Sequence, residues 1–252
     1  MSTIQLTVHQ RQKIYEYLCA HPNVYAGNQK ALIRFVEGVH WVLRSGAQWR
    51  ELPERYGNWN SVYKRFTRWE EQGIWAAMHE HFAQDTDMEN GLLDSTVIRA
   101  HMCAAGGSKN GPQSEQALGR SRGGFSTKVH LLVDALGNGL RFLLTGGQRH
   151  DITQADALIA SLDFDRIIAD RGYDSDDFLQ TIAASGADAV VPARKSRLQP
   201  RAYDYHLYKE RHLVECFINK LKWFRRIFTR YDKLARRYMA FWQFASTLIW
   251  LR

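Results

Sequence analysis

The chain has 252 residues, 45% hydrophobic and 24% charged, which suits one large or two modest globular domains with a real core. Lys+Arg 34 exceed Asp+Glu 26, a formal charge of +8, and so much positive charge points to a polyanion partner, most often nucleic acid. Cys19, Cys103 and Cys216 are widely spaced and contain no C-x-x-C, which argues against a disulfide framework or a zinc site and fits a reducing cytosol. The start, MSTIQLTVHQRQK, lacks the apolar core of a signal peptide. Tyr238 to Leu251 is too short to span a bilayer and is interrupted by Gln243, Ser246 and Thr247. A cytoplasmic protein without membrane contact is expected.

From Met1 to about residue 87 the apolar pattern is helical. Helices are expected near Thr7 to Ala20, from Asn28 to Arg44, from Asn60 or Ser61 (either a candidate cap) through Trp69, and from Ile74 to Phe82. The third places Val62, Phe66 and Trp69 inward and Lys64, Arg65 and Arg68 outward. A helix, a loop and a short basic helix resemble a helix-turn-helix, although the loop GAQWRELPERYGNW is too long for the tight form. A bundle whose tryptophans are simply core is the competing reading.

A polar, acidic stretch up to Gly91 suggests a domain boundary, dividing the chain into 1–87 and 88–252. Short apolar runs follow. GLLDSTVIRAH reads as a strand with Asp94 in its middle. Ala104 to Gly124 reads as a mobile basic loop carrying Lys109, Arg120 and Arg122, and FSTKVHLLVD and LRFLLTGG form a hairpin around Gly-Asn-Gly. HDITQADALIASL reads as a helix begun by Asp151 or Thr153. Then come a strand ending at Asp170, a helix closed by Gly186, the strand ADAVVPA, and a basic connector over 194–207. The expected fold is α/β: a mixed sheet in ribonuclease-H-like order, preceded by an all-α N-terminal DNA-binding domain.

Tyr208 to Lys222, YKERHLVECFINKLK, has helical periodicity. Tyr208, Arg211, Glu215, Asn219 and Lys222 fall within roughly 80° of arc, while Val214, Phe217 and Leu221 take the other side. An amphipathic surface helix accounts for this much. Asp94 and Asp170 are less ordinary, because each sits in an apolar strand pattern, where a charge must be paired, neutralised or bound to a metal. If the two strands are neighbours, Glu215 can complete an all-oxygen set suited to Mg²⁺ or Mn²⁺. Two ions about 3.5–4 Å apart would then support in-line phosphoryl transfer. His101, His130, His150 and His212 are further candidates. His150 lies in a loop near the expected active edge, whereas His212 is off the Glu215 face. For Asp174, close behind Asp170, turn formation is the expected role.

These residues carry a resemblance. The chain resembles bacterial insertion-sequence DDE transposases of the group marked by Y-x2-R-x3-E-x6-K, which here is Tyr208, Arg211, Glu215 and Lys222. LLDSTVIRAH supplies Asp94 and IIADRGYDSD supplies Asp170; GRSRGGFSTKVHLLVD and GGQRHD also look like that group, particularly its fifth numbered family. The resemblance implies metal-dependent cleavage at terminal inverted repeats and strand transfer into target DNA. It implies Asp94, Asp170 and Glu215 as catalytic metal ligands, and a homodimer or larger assembly on the DNA of the bacterial nucleoid. Expected DNA contacts are Tyr208, Arg211, Lys222, Lys64, Arg65, Arg68, Arg120, Arg122, Lys128 and His150. Only 44 positions separate Asp170 from Glu215, which leaves no room for the large insertion domain of some relatives. A transposase-derived DNA-binding regulator without catalysis, and a ribonuclease-H-type nuclease without strand transfer, are the alternatives.

Overall fold

A computed structural model describes residues 5–106, 116–121 and 123–252. Four helices come first: α1 (Val8–Ala20), α2 (Gln29–Ser45), α3 (Trp59–Glu71) and α4 (Ile74–Phe82). A capping box opens α1, in which Thr7 Oγ1 accepts from Gln10 N–H while the Gln10 side chain accepts from Thr7 N–H. Gly46, at φ 69°, ends α2 in the left-handed region that only glycine enters without strain. Asn58, not Asn60 or Ser61, caps α3, with Oδ1 accepting from the N–H groups of both. A cap bonds the donors two and three residues ahead of it, so the true cap precedes the residues that were expected to fill that role.

The sheet contains β1 (Asn90–Ala100), β2 (Gly119–Ser121), β3 (Gly124–Val133), β4 (Gly139–Gly146), β5 (Arg166–Ile168), β6 (Asp188–Val190) and β7 (Thr229–Arg230). β3 pairs antiparallel with β1 and with β4, while β5 runs parallel to β1 and β6 parallel to β5. An antiparallel meander followed by parallel strands on the other side of β1 is the ribonuclease-H-like order. β2 lies inside the stretch expected to be a loop and pairs with the start of β3. Three residues are too few to show a period, which is why the sequence concealed this strand. Lys109 and Arg122 lie outside the described residues.

The remaining helices are α5 (Ala155–Ile159), α6 (Asp176–Ala184), α7 (Tyr205–Tyr208), α8 (His212–Lys222), α9 (Arg225–Phe228) and α10 (Ala235–Trp250). The expected helix over 150–162 is shorter, a tight turn at Asp151–Gln154 leading into α5, and neither Asp151 nor Thr153 caps it. None of the described helices is long and apolar enough to cross a membrane.

Two apolar clusters fill the faces of the sheet. The smaller lies under α5 and α6. The larger joins residues from both sides of residue 87, among them Phe66, Trp69 and Trp75 with Phe241, Trp242 and Phe244 of α10. Gly139 ties this core to the sheet. A Cβ there would lie 2.3 Å from Phe217 Cζ, and its carbonyl oxygen accepts from His79 Nε2 (2.9 Å) and Trp250 Nε1 (3.0 Å). The absence of a side chain lets α4, α8 and α10 close on one strand end.

Burial pushes His40, His79 and His130 down to about 4. Each folded-state value is below that of a free imidazole, near 6.5, so the stability it represents is complete above pH 6.5 and is lost as pH falls toward 4. At pH 5 the cost is up to about 2 kcal/mol for each histidine. Thermal unfolding is therefore expected several degrees lower at pH 5 than at pH 7.5. Equal melting temperatures would contradict neutral burial of these rings.

Candidate active site

Side chains of a strand alternate between faces, so Leu92, Asp94, Thr96 and Ile98 share the side of β1 that α8 covers. Leu92 pairs with Ile168 of β5, the last residue of that strand. Two residues further along each chain come Asp94 and Asp170. Asp170 opens a tight turn (Arg171–Tyr173) and accepts from Gly172 N–H at 2.7 Å. Burial raises the Asp94 carboxyl above the usual range, and Asp170 adds like-charge repulsion, while Ser95 N–H and Arg211 act in the other direction.

The third element is Tyr208–Lys222. It is helical, but tightens at Lys209–Arg211 between α7 and α8 instead of running as one even α-helix. At that turn Glu210 Oε2 accepts from Asn90 Nδ2 (2.9 Å), which fastens the turn to the first residue of β1. Val214, Phe217, Ile218 and Leu221 bury one face of α8, and Glu215 stands exposed on the other. Arg211 lies between the carboxylates. Its Nη1 donates to Asp94 Oδ2 at 2.8 Å and its Nη2 donates to Glu215 Oε1.

A supporting layer occupies the opposite face of β1. Asp151 accepts from Ser95 Oγ (2.5 Å) and Lys128 Nζ (2.8 Å). Burial would raise the Asp151 carboxyl, but those two bonds outweigh it and hold it below its ordinary value. Lys128, expected to contact DNA, is part-buried at 13% exposure and is paired here with Asp151. Tyr173 is buried nearby, and its hydroxyl has no partner among the described residues. Burial, with Asp151, Asp94 and Asp170 adding to it, pushes that phenol far upward.

Asp174 does more than shape a turn. Its inaccessible carboxylate accepts from Arg197 Nε (2.7 and 2.9 Å), from Arg201 Nη2 and from Arg194 N–H (2.7 Å). Arg194 also donates from its guanidinium to the carbonyls of Arg171 and Gly172. The basic connector is in this way stapled to the turn that begins with Asp170.

Other expected contacts are dispersed. Lys64 and Arg68 are exposed on α3, but Arg65 is half-buried, with its guanidinium 4.5 Å from the Phe35 ring centroid and 5.1 Å from that of Trp69. Arg120 lies exposed over Phe125, and His150 is exposed. Tyr208 packs on Tyr203, and Lys222 is half-buried. His130 is buried against Thr145, His101 lies beside Cys103 and Tyr231, and His212 is exposed on α8.

The sequence profile described as "Transposase DDE domain" matches residues 85–250. The chain belongs to the DDE transposase family. A second profile, "Putative transposase of IS4/5 family", matches residues 6–79. Among curated relatives, the "Putative transposase for insertion sequence element IS6501" of Brucella ovis is 41% identical over 130 residues, covering 51% of this chain and 100% of its own. The "Putative transposase for insertion sequence element IS402" of Burkholderia cepacia is 30% identical over 153 residues, covering 56% of this chain and 68% of its own. A solved piggyBac transposase synaptic complex with hairpin DNA overlaps 77% of this chain and 50% of its own at 11% identity and a TM-score of 0.43, too loose a likeness to argue from.

Membership makes this transposase an enzyme of DNA cleavage and strand transfer, with a general dependence on divalent metal. The donor types suit such an ion: Asp94, part-buried and protonated more readily than usual, shares the Arg211 guanidinium with Glu215, and Asp170 is close enough to add like charge. As they stand, no three His, Cys, Asp or Glu side chains among the described residues converge closely enough to hold a metal. Arg211 lies in that space.

Proposed function

We propose that the chain binds the terminal inverted repeats of an insertion sequence, cleaves the element's ends and joins the freed 3′-hydroxyls to target DNA. The observation that carries this reading is that Arg211 bridges Asp94 of β1 to Glu215 of α8, while Asp170 opens the turn after β5, the strand paired with β1. Asp94, Asp170 and Glu215 would hold two divalent cations, Mg²⁺ or Mn²⁺. Such ions would activate the attacking oxygen and stabilise the leaving one. Arg211 then exchanges its carboxylate partners for a DNA phosphate, to which its planar fork is suited. Lys222 at the end of α8 and Tyr208 at the end of α7 line the path of the strand.

Residues 1–87 supply DNA contacts through Lys64 and Arg68 of α3, and residues 88–252 supply the chemistry and the contacts at Arg120 and His150. Because one core joins the two regions, DNA bound by the helices is held rigidly relative to the carboxylates. Paired cuts at two ends require at least a dimer on DNA. The place of action is the bacterial cytoplasm, at the nucleoid.

Incubating the protein with labelled end DNA and Mg²⁺, with and without EDTA, tests this. Metal-dependent nicking followed by joining of the labelled 3′ end to target supports the proposal. Binding without nicking identifies a regulator, and nicking without joining identifies a nuclease.

A further inference from the structure

A cavity of about 350 Å³ opens between the helical region and the segment after α8, within the usual span of small-ligand sites. Its aromatic lining is Trp49, Trp59, Tyr63 and Tyr231, all half-buried. Cations accompany these rings. Arg50 lies 5.5 Å from the Trp59 centroid, Arg237 lies 5.3 Å from that of Tyr63, and Lys233 is exposed at the rim. The cavity's one acidic group, Asp232, is already neutralised by Arg226 at 2.9 Å, so the mouth is net positive. Two buried donors in the lining, Trp49 Nε1 and Arg237 Nε, have no partner among the described residues.

Aromatic faces, unpaired donors and positive charge in a space of this size match one nucleotide: a base to stack, heteroatoms to accept, and a phosphate to pair. The placement suits DNA as well, since β7 follows α9 and pairs with the far end of β1 at Arg99 and Ala100. That end is about 20 Å along the strand that carries Asp94. We propose that this cavity takes up a single unpaired nucleotide of the DNA substrate, its base stacked beside Trp59 and its phosphate on Arg50 and Lys233. The proposal rests on DNA being the substrate.

The test uses the full chain and three duplexes of one sequence: fully paired, with one bulged 2-aminopurine, and with a 3′ overhang containing 2-aminopurine. Wild-type protein is expected to bind the bulged or the overhanging duplex about 10-fold more tightly than the paired one, and to quench the probe's fluorescence on stacking. The responding duplex tells an everted base from a single-stranded end. Trp59→Ala is expected to abolish both the preference and the quench. Because Trp59 is half-buried, the exposed double substitution Arg50→Glu with Lys233→Glu is measured alongside, and it too is expected to lose the preference. Equal binding of all three duplexes by the wild type, or a preference kept by both variants, overturns the proposal. Failure of the wild type to bind any duplex overturns the DNA reading itself.

Discussion

Asp94→Ala is expected to reduce metal-dependent cleavage of end DNA by roughly three orders of magnitude or more, about 4 kcal/mol of transition-state stabilisation, while end binding changes little. Asp170→Ala and Glu215→Ala are expected to act alike. The reason is geometric: the parallel register pairs Leu92 with Ile168, two residues before Asp94 and Asp170, and Arg211 links Asp94 to Glu215 of α8. Losing any one leaves too few oxygen ligands to hold and balance divalent charge. Binding survives because the exposed cations of α3 are far along the chain from the substituted position. A gel assay of cleavage paired with a binding isotherm checks both halves. Cleavage at wild-type rate by any variant removes that residue from the site.

Asp174→Ala is expected to destabilise the fold by about 2–4 kcal/mol, a large part of the stability of a domain. Removing this carboxylate strands the Arg201 guanidinium, leaves Arg197 with Asp176 alone (2.8 Å), and deprives the Arg194 N–H of its acceptor. The figure stays below the cost of a fully enclosed pair, because Arg201 is 41% exposed and can turn to water. Arg197 and Arg201 hold the Asp174 carboxyl below the usual carboxylate range, against burial, which raises it. Its stabilisation is therefore complete above pH 4 and is lost as pH falls further. Urea unfolding of the variant at pH 7 checks the magnitude, and a change under 1 kcal/mol would show that the clamp is unimportant.

The sheet was legible because its strands carry apolar runs, and a charge in the middle of one (Asp94) and at the end of another (Asp170) drew notice, although β5 itself stops at Ile168 and Asp170 opens the turn beyond it. α8 was legible through its period, which set Glu215 opposite Val214, Phe217 and Leu221. What was not legible depends on pairs distant in the chain. Lys128 and Asp151 lie 23 positions apart, as do Asp174 and Arg197, and no periodicity marks either pair. A hydrophobic pattern shows that α10 is buried, but not that it closes one core with α4 across the expected boundary. Arg65 reads as an outward cation, yet the rings of Phe35 and Trp69 hold it. Arg211 between Asp94 and Glu215 likewise follows from tertiary closeness, which the motif spacing alone does not reveal.

The central claim, that three carboxylates from separate elements form one metal site, is tested most directly by Mn²⁺ binding to the DNA-bound protein, followed by electron paramagnetic resonance. The account predicts saturable binding to the wild type, weakened at least about 10-fold by each of Asp94→Asn, Asp170→Asn and Glu215→Gln, since each removes one anionic oxygen ligand. Unchanged Mn²⁺ affinity and stoichiometry in all three variants would contradict it.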